Sequence, residues 1–409
     1  MESIQRRAVT MVAATCVMTM IGATAAHART YKVLYSFQDG SDGRHPSAVI
    51  RDVKGNLYGV TSYGYGAHSF GTIFKLSPAG RETVLHSFAA TDGIPAYLPS
   101  GLIQDPERNL FGATAKGGGT GCSGGGCGVV FKLSPRGRYT VLHRFRGTDG
   151  SFPQGVIRDS KGNLYGAAAY GGGGTGCGGS GCGLVFKLSS AGKYTVLHRF
   201  TGGTGGYFPN GGTILDANGN LYGTTLLGGD PSCICGVVFK LGPAGKETVL
   251  HKFTGDNGAY PNGGIIRDAK GNLYGTTPTD ASCGEYGVCG LVFKLSPLGV
   301  ETVLYRFQGG ADGGLPAAGV IQDRKGNIYG TTAYAGRPGC DGATGCGVVF
   351  KVDSKQKETV IYSFTGGVDG GVPQSGLLQD GKGNLYGTTT AGGAGCGGLG
   401  CGVVFRLTP

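Results

Sequence analysis

The stretch "VLYSF" at Val33–Phe37 decides the fold. Six close copies follow it: "VLHSF", "VLHRF", "VLHRF", "VLHKF", "VLYRF" and "VIYSF", starting at 84, 141, 196, 249, 303 and 360. Each of those six ends a unit of four short apolar runs. The first copy stands ahead of any unit, and the last unit stops at "GVVFRL" (402–407) without one. An open solenoid has no use for that offset. A closed ring does, because an N-terminal strand can complete the final sheet and remove its free edge.

A second phrase sets the period. "GNLYG" occurs at 55, 162, 219, 271 and 383, with "RNLFG" at 108 and "GNIYG" at 326. The Asn residues are spaced by 53, 54, 57, 52, 55 and 57. In the third unit the runs are "QGVIRD" (154–159), "NLYGAAA" (163–169), "GLVFKLS" (183–189) and "YTVLHRF" (194–200). Their length and their Val, Ile, Phe and Tyr content fit strands. Asp-x-x-Gly-Asn turns join the first run to the second, and Ser-Pro-x-Gly turns the third to the fourth. The expected architecture is all-β: a seven-bladed β-propeller with four strands per blade, closed by strand 31–37 joining the last blade.

Composition agrees. Of 409 residues 86 are Gly, only 15% are charged, and Trp is absent. The glycines recur with the repeat, as turn residues should. Residues 1–28 read as a secretory signal: Arg6 and Arg7, the apolar "AVTMVAATCVMTMIGATA", then Ala26-His27-Ala28. Residues 29–409 then form the propeller, secreted or periplasmic. No other run is long enough to span a bilayer. The leader holds two of the 36 Lys+Arg and one of the 25 Asp+Glu, so the remainder stays basic. That favours an anionic polysaccharide or an envelope protein as partner. No dense Lys/Arg run points to nucleic acid, and a monomer is expected.

The repeat "GNLYGTT…GG…G.VFKL" resembles the Gloeo/Verruco tandem repeat of secreted bacterial proteins over essentially the whole mature chain. The resemblance implies export and a repeat fold, and it brings no catalytic residues with it.

Twelve Cys outside the leader form local pairs between the second and third strands: Cys122/Cys127, Cys177/Cys182, Cys233/Cys235, Cys283/Cys289, Cys340/Cys346 and Cys396/Cys401. An even count in an exported chain points to disulfides. Cys233 and Cys235 are left open, because a bridge across one residue is strained. Zinc is disfavoured, since each loop offers two Cys and no His.

Function is sought where otherwise equal blades differ. One varying register holds Tyr63, Lys116, Tyr170, Leu227, Thr279, Tyr334 and Ala391. A second, after the Pro of each first strand, holds Ser47, Ser100, Gln154, Asn210, Asn262, Ala317 and Gln374. The binding candidates are Tyr65, Lys116, Tyr170, Tyr334, Gln154, Asn210, Asn262 and Gln374, whose hydroxyl, amide and cationic groups suit sugars or ordered water. Blade one lacks a Cys pair and gathers Arg44, His45, Tyr63 and His68. His, Tyr and Arg together suit proton abstraction beside a carboxylate, so a lyase of acidic glycans is the alternative to a non-catalytic binding or scaffold propeller. His86, His143, His198 and His251 share one strand register with Tyr35, Tyr305 and Tyr362 and read as packing residues. Asp42, Asp92, Asp149, Asp312 and Asp369 precede Gly in repeated loops but lack the clustered oxygens calcium needs. No metal or cofactor is expected.

Overall fold

A computed structural model describes residues 30–64, 70–94, 101–119, 121–173, 176–280, 288–337, 340, 345–397 and 400–409. The expected leader, residues 1–28, lies outside them. The described chain is a seven-bladed β-propeller whose blades are antiparallel sheets of four strand positions, running outward in chain order. In blade seven the order from the outside is Thr30–Ser36, Val403–Thr408, Leu385–Thr388, Leu378–Gln379. Thr30 faces Thr408 and Val33 faces Phe405, so the N-terminal strand closes the ring. Its bounds sit one residue earlier than 31–37.

The structure explains each letter of the repeated phrase. In blade three Gly162 takes φ 83°, which only glycine adopts freely. Asn163 donates its backbone N–H and its side-chain amide to the two oxygens of Asp159, at 2.8 and 2.7 Å. Leu164 enters the core at 3% exposure. The Tyr165 hydroxyl donates to the same Asp159 Oδ2 at 3.1 Å. Gly166 lets the Phe186 ring lie against its Cα: a Cβ there would come within 2.7 Å of the ring. Burial alone raises the Asp159 carboxyl, but these hydrogen bonds outweigh it and hold it below the usual range. Blade two, with Arg108 and Phe111, keeps the Asp105–Asn109 bonds and gives up the hydroxyl.

The core lies between blades. One cluster joins Tyr386 and Val404 of blade seven to Val49, Leu57, Phe74 and Leu76 of blade one, with Phe37 between them. The largest fully buried side chains are all Phe, from the "VFKL" and "VLHRF" strands. Truncating any one of them to Ala should cost about 3–5 kcal/mol.

The first strand of each blade departs from expectation. In blade three the sequence places it at 154–159, yet the chain pairs only at Ser151–Pro153 and Ile157–Arg158, with a break between them. Among the described residues blade four has a continuous inner strand, Tyr207–Leu215, and even there the register shifts between Asn210 and Thr213. Glycines of positive φ mark both places: Gly155 (φ 131°) in the break of blade three, and Gly211 and Gly212 (φ 75 and 81°) in the shift of blade four.

The outer strands carry a polar seam. The His86 and His143 rings stack on Tyr139 and Tyr194 of the following blades, with centroids 4.2 and 3.9 Å apart. Where the next blade has Glu instead of Tyr, His198 and His251 lie 3.5 Å from Glu247 and Glu301. Burial pushes Glu82, Glu247, Glu301 and Glu358 up to about 7. Each also keeps a buried Oε1 without a hydrogen-bond partner. A carboxyl raised in the fold stabilises it fully below its unfolded value of 4.5, and that contribution is lost as pH rises through about 7. His45, His86, His198 and His251, held below their ordinary value first by burial, act in the opposite sense and by less. The melting temperature should therefore fall between about pH 5 and pH 8, and a Glu247→Gln/Glu301→Gln variant should flatten the slope. A melting temperature rising steadily across that range would contradict this seam.

Candidate functional site at the channel mouth

The Cys loops and the Asp-Gly loops share one rim; the Asp-x-x-Gly-Asn and Ser-Pro-x-Gly turns share the other. On the Cys rim, the residue before each described first-strand Pro is left-handed: His45, Phe152, Phe208, Tyr260, Leu315 and Val372 have φ between 54 and 60°. A residue before proline prefers extended backbone, so each is strained. A bond from the neighbouring blade holds it there. The Phe152 N–H donates to the Cys127 carbonyl, Phe208 to Cys182 and His45 to Cys401, each at 3.0 Å. Tyr260, Leu315 and Val372 repeat the bond to Cys235, Cys289 and Cys346. The second Cys of one blade thus holds the residue before the proline of the next, and four of these six, His45, Phe152, Phe208 and Leu315, line the channel cavity.

The cysteines themselves are paired. Cys122–Cys127, Cys177–Cys182, Cys340–Cys346 and Cys396–Cys401 form disulfides with Cα separations of 5.1–5.4 Å. Cys233 and Cys235, left open by sequence, are joined as well, at 5.2 Å. Cys283 lies outside the described residues, and with it the Cys283/Cys289 pairing.

Inside this rim is a cavity of about 540 Å³. Gln154, Asn210, Asn262 and Gln374 line it, with Ser47 and Ala317 of the same register. Asn210 Nδ2 donates to Asn262 Oδ1 at 2.5 Å, and Gln154 Nε2 donates to the Phe152 carbonyl at 3.2 Å. Ser47 Oγ is buried without a hydrogen-bond partner. Beside the amides stands an aromatic wall. Phe208 meets Tyr170 at a centroid distance of 4.7 Å, and Phe152 meets the same ring at 5.8 Å. Among the described residues the lining includes no Asp, Glu, Lys or Arg.

Of the first varying register, Tyr170 lines this cavity. Lys116 and Tyr334 occupy the same strand-end position, paired through backbone with Ile94 and Gly314, and are absent from the lining. Tyr65 and His68 lie outside the described residues. Arg44, His45 and Tyr63 do come together. The His45 ring meets Tyr63 edge-on at 5.8 Å and lines the cavity. Burial, then the nearby Arg44 charge, holds its imidazole below the ordinary value, so it is neutral at pH 7. Arg44 is bound to Asp39 at 3.2 Å. The outer-strand histidines are remote from the channel. The Asp-Gly carboxylates are spent on their own loops: Asp42 accepts from Gln38 N, Gly40 N and the Tyr35 hydroxyl at 2.9–3.0 Å. Among the described residues no three His, Cys, Asp or Glu side chains gather as a metal site.

Sequence reasoning missed Phe152, Phe208 and Leu315 in the lining. A signal was present, since the residue before the Pro varies from blade to blade as the two chosen registers do.

Comparison with known proteins adds fold and family. The chain resembles the extracellular domain of a putative one component system from B. thetaiotaomicron, at 11% identity and TM-score 0.51, covering 92% of this chain and 39% of that one. It also resembles YCF48 from Cyanidioschyzon merolae, at 10% identity and TM-score 0.50, covering 93% and 99%. A gluconolactonase from Xanthomonas campestris matches at 12% identity and TM-score 0.46, covering 93% and 89%. No curated protein matches in sequence. The Gloeobacter/Verrucomicrobia repeat model matches residues 23–179, 125–342 and 279–409, and the chain belongs to that family.

Proposed function

We infer that the chain is an exported binding propeller that holds a neutral glycan end at its channel mouth without chemical turnover. The observation that carries this is the lining of the cavity: an arc of side-chain amides and hydroxyls beside an aromatic wall, with no charged carboxylate or cation among the described residues. Amides and hydroxyls donate and accept like sugar hydroxyls, and aromatic faces cover the apolar face of a sugar ring. The unpartnered Ser47 hydroxyl gains a partner when such a ligand binds. The neutral lining disfavours a uronate substrate at this mouth. Export rests on the reading of residues 1–28 and on the disulfides, which persist in oxidising compartments. No helix among the described residues is long and apolar enough to cross a membrane.

The test is a glycan array followed by calorimetry on the purified chain. Neutral oligosaccharides should bind, and Asn210→Ala/Asn262→Ala should weaken them about tenfold by removing two hydrogen-bonding amides. Phe208→Ala should weaken them by removing the wall. If no neutral sugar binds, the reading fails. The same protein incubated with uronate polymers decides the lyase alternative. Ultraviolet absorbance from unsaturated sugar ends, lost on His45→Ala, would move the role from binding to catalysis.

A further inference from the structure

The turn rim, on the opposite side from the channel mouth, carries a series of exposed cations. Lys54, Arg81, Arg138, Lys161, Lys193 and Lys382 are all exposed there. The Asp of each Asp-x-x-Gly-Asn turn offers them little, since its own loop takes its carboxylate. At one seam this charge is gathered in a cleft. Between blades seven and one lies a space of about 410 Å³ lined by Arg51, Lys382, Arg406, Asp380, Asn384 and Tyr386 among others.

Among the described residues Asp380 is the one carboxylate lining the cleft, and it is saturated. Asp380 Oδ1 accepts from the backbone N–H groups of Lys382 and Asn384, both at 2.9 Å. Its Oδ2 accepts from Asn384 Nδ2 at 2.9 Å and the Tyr386 hydroxyl at 3.1 Å. The three cations therefore outweigh it. Arg51 lies 5.7 Å from the Tyr386 ring centroid. Arg406 Nε is buried without a hydrogen-bond partner.

Blade seven also differs from its siblings. Arg406 stands directly opposite Lys32 in the closing strand pair. In the other six blades that register sets Lys against Thr, as in Lys187 with Thr195 and Lys351 with Thr359. Cross-strand partners share a face, and like charges opposite each other destabilise a sheet. Blade seven carries that repulsion where its siblings avoid it, and an anion seated beside Arg406 converts it into attraction.

We propose that this cleft binds a carboxylate-bearing sugar residue of an acidic polysaccharide. Arg51 and Arg406 supply planar forks that match a carboxylate, and Lys382 adds a third charge. The exposed cations recurring with each blade continue along the rim, which suits a polymer with repeated negative charge. The site is independent of the channel mouth and stands or falls separately from it.

The experiment uses the full chain with fluorescently labelled oligogalacturonate at low ionic strength, each variant first checked for an unchanged melting transition. Arg51→Gln/Arg406→Gln should weaken binding about tenfold or more, the loss expected for two charge-assisted contacts. Arg138→Gln/Lys193→Gln removes equal charge from the same rim away from the cleft and should change affinity less than about threefold. Arg406→Lys, the residue of the other blades, keeps the charge and loses the fork, so it should give an intermediate loss and serves if the double variant does not fold. Equal losses from the two double variants would replace the site by diffuse attraction and overturn the proposal. Failure of oligogalacturonate to bind, or displacement of it by phosphatidylglycerol vesicles that bind more tightly through the same arginines, would overturn it too.

Discussion

A chain lacking Thr30–Phe37 should unfold far below the full-length protein, with a larger loss than removal of any one disulfide. The strand seals two seams. Tyr31 stacks on Tyr362 of blade six at 4.0 Å and on Phe405 of blade seven at 5.5 Å. Phe37 meets Phe74 of blade one at 5.1 Å, and its N–H donates to the Gly402 carbonyl at 3.1 Å. Without the strand, the edge of Val403–Thr408 opens to water, with its fully buried Val403, Val404, Phe405 and Leu407. Loss of one buried aromatic residue costs about 3–5 kcal/mol, against a total folding stability of about 5–15 kcal/mol for a typical protein. A disulfide closing a loop as short as Cys122–Cys127 contributes roughly 2 kcal/mol. Urea titration of the deletion beside Cys122→Ser/Cys127→Ser checks the ranking. The deletion should also aggregate, since an unpaired apolar edge invites another strand. A deletion variant as stable as the disulfide variant would show that the ring is not held at this strand.

The closure was legible because it is a counting problem. A spare "VLYSF" before the first unit and a missing copy after "GVVFRL" admit few other solutions. The Asp-x-x-Gly-Asn turns were legible for the same reason that they work: Asp159, Gly162, Asn163 and Tyr165 lie within seven residues and contact one another. The left-handed backbone that opens each inner strand was missed because it is set from outside. Nothing near Phe152 in sequence announces a left-handed backbone, and a residue before proline argues against one. The bond that holds it comes from Cys127 of the blade before. The amide arc was visible as variation in an otherwise constant register, since a ring scaffold repeats every blade while a ligand contacts blades unequally. Lys116 and Tyr334 share the register of Tyr170, yet Tyr170 alone of the three joins the lining. Phe152 of the same blade and Phe208 of the next flank its ring, and that grouping depends on how two blades meet.

The same cross-blade bond predicts that Gly183→Ala will be among the most damaging single substitutions. Gly183 follows Cys182 at φ 87°, a backbone state that an alanine adopts only under strain. A Cβ there would lie 2.5 Å from Pro209 Cδ of the next blade and 2.6 Å from the Ala169 carbonyl oxygen. Neither neighbour is the end of a flexible side chain, so the blades must part. On one side of the joint the Gly183 carbonyl accepts from Phe200 at 3.1 Å; on the other the Cys182 carbonyl accepts from Phe208 at 3.0 Å. Strain of about 1–3 kcal/mol and overpacking of about 1–3 kcal/mol add at this position. Gly192 is the matched control. It takes φ 84° in an exposed turn, and a methyl group there would meet nothing within 4 Å, so Gly192→Ala carries the strain without the collision. Thermal melts should place Gly183→Ala well below Gly192→Ala. Because the joint fixes Phe208 in the cavity wall, Gly183→Ala should also weaken sugar binding at temperatures where it remains folded, while Gly192→Ala should leave binding unchanged. Equal melting temperatures for the two variants would mean that the blades yield at this joint, and that the bond from Cys182 does not hold the channel-lining residue in place.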